Sequence, residues 1–301
     1  MIGLGAMGAS YASWLSRYPD SEVRVIADGV RAEKLRAEGV TVNGVRFDFP
    51  VYTPAVSVEP ADLLVVGVKY PQLVSALDQM AAHIGPDTIV ISLLNGLTSE
   101  DEIALRFPHA TVLYAITFAV DAVRQAHNVA YASQGKIAFG QARNTPPYSP
   151  AVRRVAEIFD QCEIPYEIPE DMLARMWWKF MANVGVNQVT AALRSSYDLV
   201  QRPDSPAREL MIAAHREVIA VAQAKGIPLG EADLDHWLTI LDGLGPAQYT
   251  SMAQDVLANR PTETDIFAGA MRTMGAELGI PVPVNTVLHH LLKATEPPPA
   301  G

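Results

Sequence analysis

A chain of 301 residues, 49% hydrophobic and 19% charged, has room for one large or two medium domains with a buried core, and two is the better expectation. A formal net charge of −10, with no basic run interleaved with aromatics, argues against nucleic acid and leaves small molecules and other protein chains as partners. The single cysteine, Cys162, excludes an internal disulfide and any cysteine-built metal cluster; the absence of an apolar run near 18 residues or of a cleavable leader argues against a membrane partner and for the cytoplasm.

In chain order, the first half alternates short β-branched runs with helical stretches, as βαβ units feeding a parallel sheet do. Strands are expected at residues 23–26, 63–68, 88–93 and 111–116, with helices at 6–15, 32–38, 73–82 and 99–106. Residues 40–49, centred on Asn43-Gly44, read as a hairpin, and 129–131 and 136–139 as further strands that now run antiparallel. After the loop at 144–147, a helix at 151–160 and a strand near 166–168 complete a first domain over residues 1–168. Beyond it the periodicity is helical, at about 171–193, 205–225, 231–242, 248–258, 261–278 and 283–294. Residues 169–301 therefore read as an all-α domain closing on a frayed tail from Thr295 to Gly301. The seven histidines are scattered, and His289 and His290 point about 100° apart on a helix, so they make no convergent metal set.

The run Gly3-Leu4-Gly5-Ala6-Met7-Gly8 is a GxGxxG that leads straight into helical sequence. Such glycines permit a tight turn, the approach of a pyrophosphate to backbone N–H groups, and close packing of helix on strand. The second strand ends near Asp28, where a Rossmann fold places the residue that reads the adenosine ribose. A carboxylate there favours NADH by accepting from the 2′-hydroxyl, whereas Arg31 could receive the 2′-phosphate of NADPH. The bland alternative is a glycine-rich turn without nucleotide.

A second signal lies in the Trp177-Trp178-Lys179-Phe180 region. Lys179, Asn183 and Asn187 recur every four residues on a segment that is otherwise almost wholly apolar, so they form one polar stripe on an apolar rod. Such a stripe faces a cavity or ligand, or else it is the wet side of a partly buried helix.

Further along come Thr250-Ser251-Met252-Ala253-Gln254-Asp255 and Thr262-Glu263. Together with the glycine turn, Val68-Lys69, Leu94-Asn95-Gly96-Leu97 and the Lys-x-x-x-Asn-x-x-x-Asn helix, these motifs resemble the ketopantoate reductase (2-dehydropantoate 2-reductase) family across essentially the whole chain. The resemblance implies an N-terminal Rossmann domain, an all-α catalytic domain, and reduction of a 2-keto acid, 2-dehydropantoate in pantothenate biosynthesis, by hydride from NADPH. Carried over by position, Lys179 would be the general acid, its pKa lowered by apolar neighbours. Glu263 would hold the substrate hydroxyl; Asn183, Asn187 and Ser251 would bind carboxylate and hydroxyl. Gly3, Gly5, Ala6, Met7, Gly8, Asp28, Arg31, Lys69 and Asn95 would line the cofactor, with Lys69 and Asn95 where strands end. Each has a plainer reading: a snorkelling lysine, helix-surface amides, an N-cap for Ser251, a first-turn helix carboxylate for Glu263, ordinary loop residues for Lys69 and Asn95. Asp28 stands where the family commonly has arginine and Tyr197 where it often has asparagine, and the Trp177-Trp178 pair points to a divergent branch. The expected chemistry needs a dry cleft between the domains, and a homodimer is compatible with the helical half.

Two other readings use the same residues. A 3-hydroxyacid dehydrogenase of the hydroxyisobutyrate type also joins a Rossmann domain to a Lys-x-x-x-Asn helix, but lacks the block from Ser251 to Glu263. A redox sensor that binds a dinucleotide and signals through a partner would have no purpose for Lys179. One oddity concerns the opening strand: only Met1 and Ile2 precede Gly3, against the five or six residues usual for a strand, so the strand is expected to be abbreviated by a late-assigned gene start or by trimming. An upstream extension should then raise the melting temperature, and an unchanged melting curve would reject the idea.

Overall fold

The computed structural model describes residues 1–54, 56 and 58–297, and divides into two compact units, Met1–Leu173 and Ala174–Gly301. The first is a mixed α/β Rossmann-like region and the second is largely helical.

In the first unit, strands Leu63–Val66, Ile89–Ser92 and Thr111–Phe118 run parallel and adjacent, with Lys136–Gly140 antiparallel to the last and Tyr166–Glu167 closing that edge. Ile2 bridges Ile26 on one side and Val66 on the other. This single residue joins the pair Val25–Ile26 and Val51–Tyr52 to the main sheet. The ladder there is short: Ile26 N–H donates to Met1 O at 2.9 Å and Ile2 N–H to Val65 O at 3.0 Å. The expected strand at 23–26 is accordingly paired only at Val25–Ile26.

Both faces of the sheet are covered, and the alternation of the strands shows why. Val65, Ile89 and Ile91 point into a cluster with Tyr11, Trp14, Val152, Val155 and Phe159 from helices Ala6–Leu15 and Pro150–Gln161. Leu64, Val66 and Val90 point the other way, onto Leu73, Leu77, Met80, Ile103 and Phe107 of helices Leu73–Met80 and Ser99–Arg106. A period of two with apolar residues on each side is the signature of a strand buried on both faces.

A separate four-stranded sheet has the order Val45–Phe47, Val40–Val42, Asn128–Ala130, Val123–Gln125. The hairpin at Asn43-Gly44 is present, with both turn residues at positive φ. Asn128–Ala130 differs in part from expectation, since it pairs parallel with Val40–Val42 and antiparallel with Val123–Gln125. Val123–Gln125 is too short and polar to announce itself; the neighbouring edge supplies its order. At the N-terminal ends of the parallel strands a cavity of about 410 Å³ opens, lined by Met1, Tyr18, Arg24, Asp62 and Arg154 among others.

The second unit is hung on Met172–Leu193, a 22-residue helix. Pro206–Ala224, Glu231–Asp242 and Pro283–Thr295 follow, with the short turns Asp198–Gln201 and Ser251–Leu257 between them. Start signals behave as chemistry dictates: Ser205 caps with Pro206 at the first position, and Thr250 accepts from Ala253 N–H. Glu217 reaches from Pro206–Ala224 to accept the Val284 and Asn285 N–H groups at 2.7 and 2.9 Å, capping the last helix from outside. The helix expected over 261–278 is corrected: Asp265–Gly269 is a π-helical turn that runs into Ala270–Leu278, and residues 261–263 are non-helical. The tail expected from Thr295 is corrected at its first residue, which closes the last helix, while residues 298–301 lie outside the described residues. Among the described residues no helix is long and apolar enough to cross a membrane.

His215, fully buried, lies against Gly185: a Cβ at 185 would fall 2.0 Å from its Nε2. Burial drives the imidazole from 6.5 to about 3, partly offset by the Ala182 backbone. The folded chain thus keeps His215 neutral where an unfolded chain would protonate it. Stability tied to this residue is complete above pH 6.5 and falls as pH drops from there towards 3, by about 1.4 kcal/mol per pH unit. Urea midpoints measured at pH 7 and pH 5 should converge in His215→Leu relative to the wild type; an equal acid loss in both would remove His215 as the cause.

Candidate active site

The glycine turn is built by backbone contact. Gly3 has φ +86°, and a Cβ there would lie 2.6 Å from the Gly67 carbonyl carbon; a Cβ at Gly8 would lie 1.9 Å from the Gly3 oxygen. Gly67 completes the triad, with Gly3 O at 3.0 Å and Gly8 Cα at 3.1 Å from its own virtual Cβ. Helix Ala6–Leu15 is thereby drawn onto the end of strand Leu63–Val66. Gly5 differs, because its Cβ would meet only Gly67 O, at 3.7 Å. It is the N-cap, and no side chain caps the helix. The first N–H groups of Ala6 and Met7 therefore head a helix whose positive dipole end lies beside an open backbone cradle, which fits a pyrophosphate. Gly67 falls within the strand expected at 63–68, which ends at Val66, and a lone glycine there has no local partner to mark it.

The strands that carry the remaining positions end at the same edge. Ile2, ahead of the glycine turn, bridges Ile26 and Val66, and Leu93 N–H donates to Val66 O at 2.8 Å. Asp28, Lys69 and Asn95 each follow one of these neighbouring strand ends. Asp28 is exposed and caps helix Gly29–Glu38, accepting the Gly29 N–H at 2.8 Å through Oδ1. Arg31 is exposed on the first turn of that helix. Arg124, from the unforeseen strand Val123–Gln125, is held below the usual guanidinium range by burial and by the charge of Arg31. Its hairpin also brings His127 Nδ1 to 3.8 Å from Glu38 on the Arg31 helix. The signal for Arg124 was a long-range strand pairing, which no local pattern encodes.

Beneath Asn95 lies a buried polar network. Ser92 and Ser99 share a hydrogen bond of 2.8 Å, Leu94 N–H donates to Ser92 Oγ at 3.3 Å, and Ser99 donates to Glu100 Oε2 at 2.8 Å. Burial raises the Glu100 carboxyl to about 7, against the lowering effect of its Ser99 and Ala115 bonds. Tyr70, next to Lys69, donates to Glu102 Oε1 at 2.8 Å on the same helix turn. Helix Ser99–Arg106 thus braces both loops.

In the second unit, Lys179 and Asn183 are half-buried and Asn187 is 7% exposed, while Phe180, Met181, Ala182, Val184 and Val186 around them are buried. The stripe is a polar row on an enclosed helix, whose Gln188 and Thr190 side chains are instead hydrogen-bonded to neighbouring elements. Two ties bring the other positions to this helix. Thr190, one turn past Asn187, shares a 2.8 Å hydrogen bond with Thr250, the cap just before Ser251. Gln188 accepts the Ala268 N–H at 3.1 Å within the π turn that follows Glu263, and Phe180 lies 6.2 Å from Phe267. Ser251 is exposed at the first helical position, so the capping role belongs to Thr250. Glu263 is half-buried in a bend ahead of the helix rather than in its first turn. Trp178 packs edge-on against Trp237 at 6.0 Å, with the Arg175 guanidinium 4.9 Å over its ring, so the tryptophan pair serves packing. Among the described residues no three His, Cys, Asp or Glu side chains converge as a metal site.

Two sequence profiles match the chain, "Ketopantoate reductase PanE/ApbA" over residues 1–144 and "Ketopantoate reductase PanE/ApbA C terminal" over residues 171–296. The chain belongs to the ketopantoate reductase family. It is 26% identical to a 2-dehydropantoate 2-reductase of Streptococcus pyogenes over 303 residues, covering 98% of this chain and 97% of that protein. A solved family member from Ralstonia eutropha JMP134 is 26% identical with a TM-score of 0.82, over 98% of this chain and 97% of that one. D-mandelate dehydrogenase, solved with NADH and anilino(oxo)acetate, has the same fold at a TM-score of 0.86 and 22% identity, with coverage of 98% and 97%. Membership of the family makes the chain an NAD(P)-dependent oxidoreductase of 2-keto or 2-hydroxy acids with an NAD(P)-binding Rossmann domain.

The glycine contacts separate folding from binding. Gly8→Ala should unfold the turn, with a melting temperature drop worth roughly 1–3 kcal/mol or more. Gly5→Ala should leave the melting temperature close to wild type yet weaken dinucleotide binding by fluorescence titration; similar melting curves for the two variants would contradict the packing.

Proposed function

We propose that the protein reduces 2-dehydropantoate to pantoate with NADPH, Lys179 acting as general acid. The observation that carries this reading is the stripe of Lys179, Asn183 and Asn187, a polar row on a largely apolar, enclosed helix, in a chain whose family reduces keto acids. The bound dihydronicotinamide would supply a hydride to the ketone carbon. Charge then grows on the ketone oxygen, and Lys179 Nζ donates its proton there, so that a free alkoxide never forms. The buried apolar neighbours Phe180, Met181 and Val184 limit the water that can compete for this transfer. Asn183, Asn187 and Ser251 serve the substrate carboxylate and hydroxyl as neutral hydrogen-bonding groups, and Glu263 accepts from the hydroxyl.

NADPH rather than NADH is supported by family membership and by the nearness of two guanidiniums, Arg31 and Arg124, at the ribose end. Asp28 opposes it with its charge, but its carboxylate already serves the Gly29 N–H. Gly3, Gly5, Ala6, Met7 and Gly8 would hold the pyrophosphate, with Lys69 and Asn95 beside the nicotinamide. On this reading the enzyme works in the cytoplasm, in pantothenate biosynthesis, with a homodimer as its assembly.

Lys179→Ala should lower kcat by roughly 10²- to 10⁴-fold with cofactor affinity unchanged. The assay is steady-state oxidation of NADPH and NADH, side by side, on 2-dehydropantoate and a panel of related 2-keto acids. Near-normal turnover by the variant, or no activity of the wild type on any 2-keto acid, would overturn the proposal.

A further inference from the structure

Glu263 lies in a bend between helix Ser251–Leu257 and the π turn Asp265–Gly269, where its carbonyl accepts the Ile266 N–H at 3.2 Å. The upstream side is pinned at Arg260, whose backbone N–H and Nε both reach Asp255 at 2.8 Å. What holds the residues next to Glu263 comes from far along the chain.

Glu296 accepts the Thr262 N–H at 3.3 Å and the Thr262 hydroxyl at 2.5 Å, both through Oε1. The same hydroxyl shares a 2.6 Å hydrogen bond with Thr264. Lys293 lies 2.7 Å from Glu296 Oε2 and 3.0 Å from Asp265 Oδ2, so it ties the two sides of the bend together. His289 completes the cluster. Arg272, which can only donate, gives a hydrogen bond to Nδ1 at 2.9 Å, so Nε2 is left to donate to Asp265 Oδ1 at 3.3 Å. Residues 262, 264 and 265 are all engaged, and Glu263 sits among them.

Two features mark Glu296 as more than a surface residue. Its side chain is only 13% exposed, although a carboxylate loses hydration on burial. It also caps the C-terminal end of Pro283–Thr295, where the helix dipole disfavours negative charge. The Lys293 pair in the helix's last turn offsets the dipole cost, and the Thr262 contacts, made at the bend, offset the cost of burial.

We infer that Glu296 is a positioning residue: by binding Thr262 it holds Glu263 in the orientation that receives the substrate hydroxyl. This rests on the role proposed above for Glu263. Glu296 touches no reacting atom; its effect reaches substrate only through the bend. The consequence is selective, since a keto acid without the hydroxyl does not use Glu263.

The test is steady-state kinetics of the full chain on 2-dehydropantoate and on 3,3-dimethyl-2-oxobutanoate, which lacks the terminal hydroxyl. Glu296→Ala should raise KM about tenfold for the first substrate and less than about twofold for the second, the scale of one weakened charge-assisted hydrogen bond. Glu296→Gln keeps an oxygen for Thr262 and should recover most of the loss. Thr262→Val, which keeps the backbone N–H, gives a milder version of the same split if the alanine variant folds poorly. A rise in KM that is equal for both substrates, or absent for both, overturns the inference, because a merely stabilising contact would not discriminate. Glu263→Ala run in parallel separates the two failures. If it discriminates and Glu296→Ala does not, the strap alone is wrong; if it fails to discriminate, the role of Glu263 falls and the inference with it.

Discussion

The helix Met172–Leu193 is enclosed over most of its length, and a rod in that position must give every polar group it carries a partner or a ligand. Gln188 meets this demand by bonding Asn285 at 3.1 Å and the Ala268 backbone, and Thr190 by bonding Thr250 and the Val186 carbonyl. Those bonds fix which elements lie beside the helix. The same constraint therefore sets the architecture of the second unit and gathers Ser251 and Glu263 to the helix that bears Lys179. Packing alone would leave these short segments free to slide; directional hydrogen bonds from a buried helix do not.

The first unit depends on a different economy of contact. At Gly3, Gly8 and Gly67 three stretches of backbone approach more closely than any side chain allows. The result is that strand ends carrying Asp28, Lys69 and Asn95 converge beside a helix N-terminus with uncapped N–H groups. Helix Ser99–Arg106 then supports two of the three loops from below. Glu100 is protonated more readily than an ordinary carboxyl because its surroundings hold few charges to stabilise an anion. It serves as a hydrogen-bonding brace in the sheet rather than as a surface charge.

What could be read in the sequence was what short-range physics determines. Helix Ser99–Arg106 follows from amphipathic spacing and the Asn43-Gly44 hairpin from turn chemistry that needs only two residues, whereas Ala6–Leu15, buried on every side, is marked by the glycine turn that leads into it. The polar stripe was legible because a four-residue repeat is local. Misplaced features share one property, dependence on residues far away. Val123–Gln125 is a strand only because Asn128–Ala130 and Val40–Val42 offer an edge. Residues 261–263 read as helix by composition, yet Glu296, more than thirty residues on, draws Thr262 out of it. Gly67 and Arg124 matter through Gly8 and Arg31, and neither pair is close in sequence.

That last pair also sets the charge around Asp28. Asp28 follows strand Val25–Ile26 and brings a negative charge to the start of helix Gly29–Glu38. Here the carboxylate is drawn back to cap its own helix, and two guanidiniums stand near enough that one lowers the proton affinity of the other. Like charges held together are costly without an anion between them and favourable with one. Arg124 comes from a hairpin in a separate small sheet, outside the βαβ unit that carries Asp28 and Arg31. Arg31 and Arg124, drawn from two separate elements, thus lie close enough to interact at the strand end where Asp28 caps its helix.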